Sequence, residues 1–138
     1  MPQISNIVEQ FGNHARTWVF VGNRELNQTE STWLEEQVIS FTNTWQTHGK
    51  PMNATGFVFS NRALVLVANE DGVKASGCSM DKINHFVKQM GAALQINFFD
   101  RMQTLVFEDD QWTSSRFDPN EIRPVISAAT LELAHFLF

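Results

Sequence analysis

Residues 55–68 read Thr-Gly-Phe-Val-Phe-Ser-Asn-Arg-Ala-Leu-Val-Leu-Val-Ala, and this stretch decides the fold class. Residues 55–59 and 63–68 are short runs rich in aliphatic and aromatic side chains, broken by Asn61-Arg62. Such runs around a polar break predict two strands joined as a hairpin. On the N-terminal side lies Asn27-x-x-Glu30, the pattern of a capping box, in which the Asn oxygen closes the first helical turn while the Glu reaches back. Leu34, Val38, Phe41 and Trp45 then line one helical face, and Gly49 and Pro51 are expected to end that helix. Farther back, residues 17–21 predict a strand. Ile4, Ile7, Val8 and Phe11, at i, i+3, i+4 and i+7, predict a short amphipathic helix ended by Gly12 and Asn13.

The C-terminal flank continues the alternation. A polar loop, Asn69-Glu70-Asp71-Gly72, leads into Ser76-Gly77-Cys78-Ser79, after which Met80, Ile83, Val87, Met90 and Leu94 mark a third helical face. Residues 102–107 and 111–117 predict a second hairpin across Glu108-Asp109-Asp110. Asp118-Pro119-x-Glu121 has the form of a helix start. Pro124 delays its regular part, and Ile126, Ala129, Leu133 and Phe136 give it a buried face. The central order β-α-β-β-α-β predicts an α+β fold: a ferredoxin-like sheet with helices packed on one face, plus an N-terminal helix and a C-terminal strand-helix addition. A different α+β sandwich with other strand pairing is the alternative.

The 138 residues fit one domain, 1–138, and 43% hydrophobic against 18% charged residues is the balance of a globular chain. Twelve Phe and four Trp supply large core side chains, while the absence of Tyr removes any phenolic acid or nucleophile. The net charge of −5 and only ten dispersed basic residues argue against nucleic-acid binding, which needs clustered Lys and Arg to neutralise phosphates. Cys78 is the only cysteine, so no internal disulfide framework is expected. The first residues lack the basic-then-apolar order of a signal peptide, and no stretch approaches the ~18 apolar residues of a membrane span. Together these features predict a cytoplasmic protein without a membrane span.

The strongest chemical signal is Lys-Ala-Ser-Gly-Cys-Ser-Met-Asp-Lys at 74–82, which joins a strand to a helix N-terminus through small polar residues. Unpaired N–H groups and the helix dipole attract anions at such a place. A thiolate there is stabilised and reactive. Ser76, Gly77, Cys78 and Ser79 are therefore the candidate ligand-binding residues. The plainer account makes Ser79 an N-cap, Gly77 a tight-turn residue and Cys78 a small buried hydrophobe. Asp81 and His85, at i and i+4, share a helix face, where a carboxylate can orient an imidazole as a general base. His48, at the expected end of the preceding helix, is the other candidate base, with a favourable dipole contact as its plain explanation. No C-x2-C or H-x3-H spacing points to a metal, and no G-x-G-x-x-G to a nucleotide, so no cofactor is expected.

Taken together, Trp18…Asn23-Arg24-x-Leu26, Phe41-x-x-x-Trp45-x-x-His48-Gly49, Asn61-Arg62, Ser76-Gly77-Cys78-Ser79-Met80-Asp81-Lys82…His85-Phe86 and Phe98-Phe99-Asp100-Arg101 resemble a family of short uncharacterised bacterial proteins often labelled ABC transporter ATPase. The resemblance runs from about residue 17 to 107. It implies no established activity, but it carries Cys78, Ser79, Asp81 and His85 over as a candidate site. The family pattern has Ala-Val-Asp-Glu where this chain has Leu66-Val67-Ala68-Asn69-Glu70, which puts any role of that Asp in doubt. The label itself lacks its chemistry here: the chain has no G-x-x-x-x-G-K-[ST], since its one Gly-Lys is followed by Pro51. Three functions stay open. The first is a small domain binding a partner or an anionic ligand at residues 76–79. The second is a thiol-dependent enzyme with Cys78 as nucleophile and His48 or His85 as base. The third is an interaction protein with exposed Trp or Phe, acting as a homodimer.

Overall fold

In the computed structural model, which describes residues 4–120, 125–127 and 129–132, the decisive stretch forms an antiparallel hairpin of β4 (Asn53–Phe59) and β5 (Ala63–Asn69). Ahead of it come α1 (Ile4–Phe11), β1 (Arg16–Val21), α2 (Gln28–Thr44) and the two-residue strands β2 (Gln46–Thr47) and β3 (Lys50–Pro51). After it come α3 (Gly77–Leu94), β6 (Gln103–Glu108), β7 (Gln111–Arg116), β8 (Val125–Ser127) and β9 (Ala129–Glu132). The chain is thus a mixture of helices and antiparallel sheets.

The run Ala-Leu-Val-Leu-Val-Ala of β5 is apolar at every position because both faces of its sheet are covered. Leu64, Leu66 and Ala68 point to one side, into a core with Trp18 and Phe20 of β1, Leu34 and Val38 of α2, and Ile83, Phe86 and Val87 of α3. Ala63, Val65 and Val67 point to the other, toward Ile7 and Phe11 of α1, Phe57 and Phe59 of β4, and Leu105 of β6. Each fully buried Leu, Val or Phe contributes roughly 1.5–3 kcal/mol. Two cores therefore flank one sheet, with α2 and α3 on one side and α1 and the second sheet on the other.

The main sheet has the order β4-β5-β1-β9. Its first three strands follow the order of a split βαβ sheet, but the fourth place beside β1 belongs to β9. The expected occupant, β6, is instead the centre of a second sheet, β7-β6-β8. The C-terminal helix expected around Ile126 and Ala129 is likewise replaced by β8 and β9, whose partners are Thr104–Val106 and Arg16–Val19. Helical spacing over a few residues is outweighed by two long-range ladders that a local pattern does not register. Asp118 accepts from the Asn120 N–H at 2.9 Å, closing a turn where a helix was expected to start. Glu121, Pro124, Leu133 and Phe136 lie outside the described residues.

The capping box forms as its sequence predicts. Asn27 Oδ1 accepts from the Glu30 N–H at 2.8 Å, and Glu30 Oε1 accepts from the Asn27 N–H at 3.0 Å. Helix α2 ends at Thr44, earlier than Gly49 and Pro51 suggest, with Trp45 extended at the C-cap. The next residues form a small hairpin pairing Gln46 with Pro51 and Thr47 with Lys50, across a His48-Gly49 turn with φ of 50° and 78°. Two consecutive positive φ values are what a two-residue hairpin turn demands.

Candidate functional site

Ser76-Gly77-Cys78-Ser79 is the cap and first turn of α3, not a loop preceding it. Ser76 is the N-cap, and its Oγ accepts from the Ser79 N–H at 3.1 Å. Ser79, expected as the cap, is buried at the third helical position, with its hydroxyl donating to the Ser76 carbonyl at 2.9 Å. The hydroxyls of Ser76 and Ser79 also lie 3.2 Å from each other. Neighbouring groups are engaged as well. Thr47 Oγ1 accepts from the Ser76 N–H at 3.2 Å, and the Trp45 indole donates to the Ser79 carbonyl at 2.9 Å. Glu70 accepts from the Ala75 N–H at 2.7 Å and stands 3.6 Å from Arg16, so a carboxylate already occupies the approach to α3.

Cys78 is exposed, which removes the account of it as a buried small hydrophobe. Asp81 and His85 are exposed on the same helix and share a groove of about 380 Å³ with Phe41, Trp45 and Phe86. In that groove Phe41 and Phe86 stack at 4.5 Å. No hydrogen bond joins Cys78, Asp81 and His85 to one another among the described residues. His48 lies in the turn between β2 and β3, four residues beyond the end of α2, so it makes no helix C-terminal contact of the kind expected. The structure brings Asp81 and His85 to one groove and leaves Cys78 without a bonded imidazole. Among the described residues no group of three or more His, Cys, Asp or Glu side chains is placed to hold a metal ion. Nor is any described helix long and apolar enough to cross a membrane.

A larger groove, about 550 Å³, lies on the opposite flank of α3. Met80, Asn84 and Lys88 recur every four residues and so line that flank, facing Trp18 and Phe20 of β1. The far wall is Phe98, Phe99 and Arg101. This segment is turned back onto α3 by Gln95, which is left-handed (φ 57°), and by the Ile96 N–H bonding the Gly91 carbonyl at 2.9 Å. Asn23 Oδ1 then accepts from the Asn97 N–H, and Asn97 Oδ1 from the Phe99 N–H, both at 2.9 Å.

Charge in this groove is positive. The Met102 N–H on Asp100, with Arg116 beside it, holds the Asp100 carboxyl below its ordinary range, so Asp100 is spent on those partners and not on Arg101. Lys88 Nζ lies 5.8 Å from the centre of the Phe99 ring, and Arg16 sits 5.0 Å over Trp18. Neither Lys88 nor Arg101 pairs with a carboxylate among the described residues, and the described lining carries no acidic side chain. Such a site can hold an anion against aromatic rings.

Sequence reasoning passed over Lys88, Asn84 and Arg101. The signal was present in part: Met80, Asn84 and Lys88 keep a four-residue spacing, and Phe98-Phe99-Asp100-Arg101 stands out as two rings beside a charge pair. What was missing is the turn at Gln95 that folds one onto the other. Among known proteins, no family model, no curated protein and no solved structure matches the chain.

Proposed function

We propose that this protein is a small binding domain for an organic anion with an apolar body, taken in the groove between β1 and α3. The observation that carries this reading is the placing of Lys88 and Arg101, without carboxylate partners among the described residues, beside the exposed ring of Phe99 in one concavity backed by the buried Trp18 and Phe98. In a chain of net charge −5 this is a local inversion of sign, and concave walls focus such a field. The anionic group would meet Lys88 and Arg101. The apolar part would lie on the exposed Phe99 ring, and the Asn84 amide would fix orientation. The anion expected at residues 76–79 is thereby moved along α3, because the hydroxyls there are bound to one another and Glu70 stands at the approach. The domain acts by binding and performs no reaction. An exposed single thiol at Cys78 suits a reducing compartment, and we place the protein in the bacterial cytoplasm.

The test is calorimetry with naphthalene-2-carboxylate and its neutral counterpart naphthalene-2-methanol. The carboxylate is expected to bind at least about tenfold tighter, roughly 1.4 kcal/mol, and the double variant Lys88→Gln, Arg101→Gln is expected to erase that preference. Equal binding of the two probes, or a preference unchanged in the double variant, refutes the proposal. The rival reading, a thiol-dependent enzyme, is favoured by the exposure of Cys78 on the first turn of α3. It requires alkylation of Cys78 with a midpoint well below the free-thiol value of ~8.5. A midpoint at that value removes it.

A further inference from the structure

Among the described residues the second sheet ends at β7, with β6 as its one strand neighbour. The two-residue turn Asp109-Asp110, with φ of 53° and 60°, makes Glu108 and Gln111 a hydrogen-bonded pair. Thr113, Ser115 and Phe117 then also turn their main-chain groups toward β6, in keeping with the Phe117 N–H bonding the Met102 carbonyl at 2.6 Å. By alternation Trp112, Ser114 and Arg116 turn their N–H and C=O groups outward, where no strand pairs with β7 among the described residues. The edge of the main sheet at β4 is treated differently: the Glu35 carboxylate of α2 accepts from the Val58 N–H at 3.0 Å. Strand β7 has no Pro, no Lys and no break in its register, the devices that keep an edge from pairing. Three of the five exposed large apolar side chains among the described residues, Met102, Phe107 and Phe117, lie in or next to this hairpin.

We propose that β7 pairs antiparallel with β7 of a second copy of this chain, about a two-fold axis through Ser114. Residues with outward main-chain groups must face one another across this edge, which an axis through any residue from 112 to 116 allows; within the strand an axis at Thr113 or Ser115 forms only two hydrogen-bonded pairs, against three at Ser114. An axis at Arg116 sets two guanidinium groups against each other. An axis at Trp112 overlaps little more than the start of the strand and the turn. The Ser114 axis sets Trp112 of each copy opposite Arg116 of the other and makes about six main-chain hydrogen bonds. The Trp112–Arg116 contact, a ring against a guanidinium, is made twice across the axis and is what makes this edge self-complementary. The edge is held in place from within: Arg62 donates to Ser114 Oγ at 3.1 Å, and Arg116 is paired with Asp100. Little ordering remains to be done on association.

Light scattering on the full chain is expected to give the mass of two chains, falling to one on dilution. In a Cys78→Ser background, Ser114→Cys places two thiols on the axis at a Cα separation of about 5.5 Å, within disulfide reach. Diamide should oxidise them to a covalent dimer. Thr113→Cys, which faces Ser115 across the axis, should cross-link at least about tenfold less. Ser114→Pro removes an outward N–H and no bond of the hairpin itself, and should give a folded monomer by circular dichroism. If that variant unfolds, the two cysteine variants decide. A monomer at all concentrations up to about 1 mM, where any dimer is weaker than roughly 4 kcal/mol, overturns the proposal. So does equal cross-linking at positions 113 and 114, or pairing of β7 only with a strand from another protein.

Discussion

Replacing Gly56 by alanine tests how closely α2 lies on the main sheet. A Cβ at Gly56 would stand 2.5 Å from Val38 Cγ2, 3.1 Å from Val38 Cγ1 and 3.1 Å from the Val65 carbonyl oxygen. Carbon atoms rest at about 3.5–4.0 Å, so Val38 would have to retreat by about 1 Å. Val38 is fully buried, and Val65 is fixed by its pairing with Phe57 and Val19, so neither yields freely. Overpacking of this kind costs about 1–3 kcal/mol, offset by the roughly 0.5–1 kcal/mol that alanine recovers over glycine in a strand. The net loss is about 0.5–2 kcal/mol, a fall in Tm of about 2–10 °C for a chain of this length. Val38→Ala alone removes two methyl groups, about 1.6 kcal/mol at ~0.8 each, and adds a cavity cost. In the double variant the new methyl occupies the vacated space, so the pair should be at least about 1 kcal/mol more stable than the sum of the singles. Urea unfolding followed by Trp fluorescence reads this as a shift in midpoint at constant m. Effects that add within about 0.5 kcal/mol would refute the close packing of α2 on Gly56.

Two further outcomes are expected. Gly77 occupies the first helical position of α3 and a Cβ there meets nothing within 4 Å, so Gly77→Ala should stabilise by about 0.4–1 kcal/mol in a thermal melt. A loss of stability would show that the turn needs glycine. The Arg24 guanidinium, bonding both Glu30 oxygens at 2.9 and 2.7 Å, together with the Asn27 N–H, pulls the Glu30 pKa from 4.5 down to about 2. A carboxylate depressed on folding adds stability that is fully present above its unfolded value and is lost as pH falls through its folded value. The difference between wild type and Arg24→Gln should therefore be constant above about pH 5.5 and shrink between 4.5 and 2. Parallel melting curves across that window would contradict it.

Much of the fold is legible in the chain because its signals are local. The capping box at Asn27 and Glu30, the β4–β5 hairpin around Asn61-Arg62 and the acidic turn at Asp109-Asp110 each depend on residues within a few positions of one another. The misread places depend on distant partners. Ile126 and Ala129 fall at helical spacing, yet β8 and β9 are only three and four residues long and are defined by strands they pair with. Ser79 looks like a cap because Met80 begins an apolar row, but Thr47 and Trp45 bond the turn from outside and fix its start at Ser76. For the candidate site, exposure of Cys78, Asp81 and His85 follows no local rule. The groove at Lys88 and Arg101 exists only because the chain doubles back at Gln95.

The pairing of β9 with β1 joins residues roughly 110 positions apart, from Val19 against Ala129 to Arg16 against Glu132. During synthesis, β1, β4 and β5 can assemble with their helices while the later chain is still inside the ribosome. The Arg16–Val19 side of that sheet then remains an unpaired rim until residues 129–132 emerge. For that interval it is open to any extended strand in the cell, and this window, more than the finished molecule, is where misassembly and chaperone engagement should concentrate.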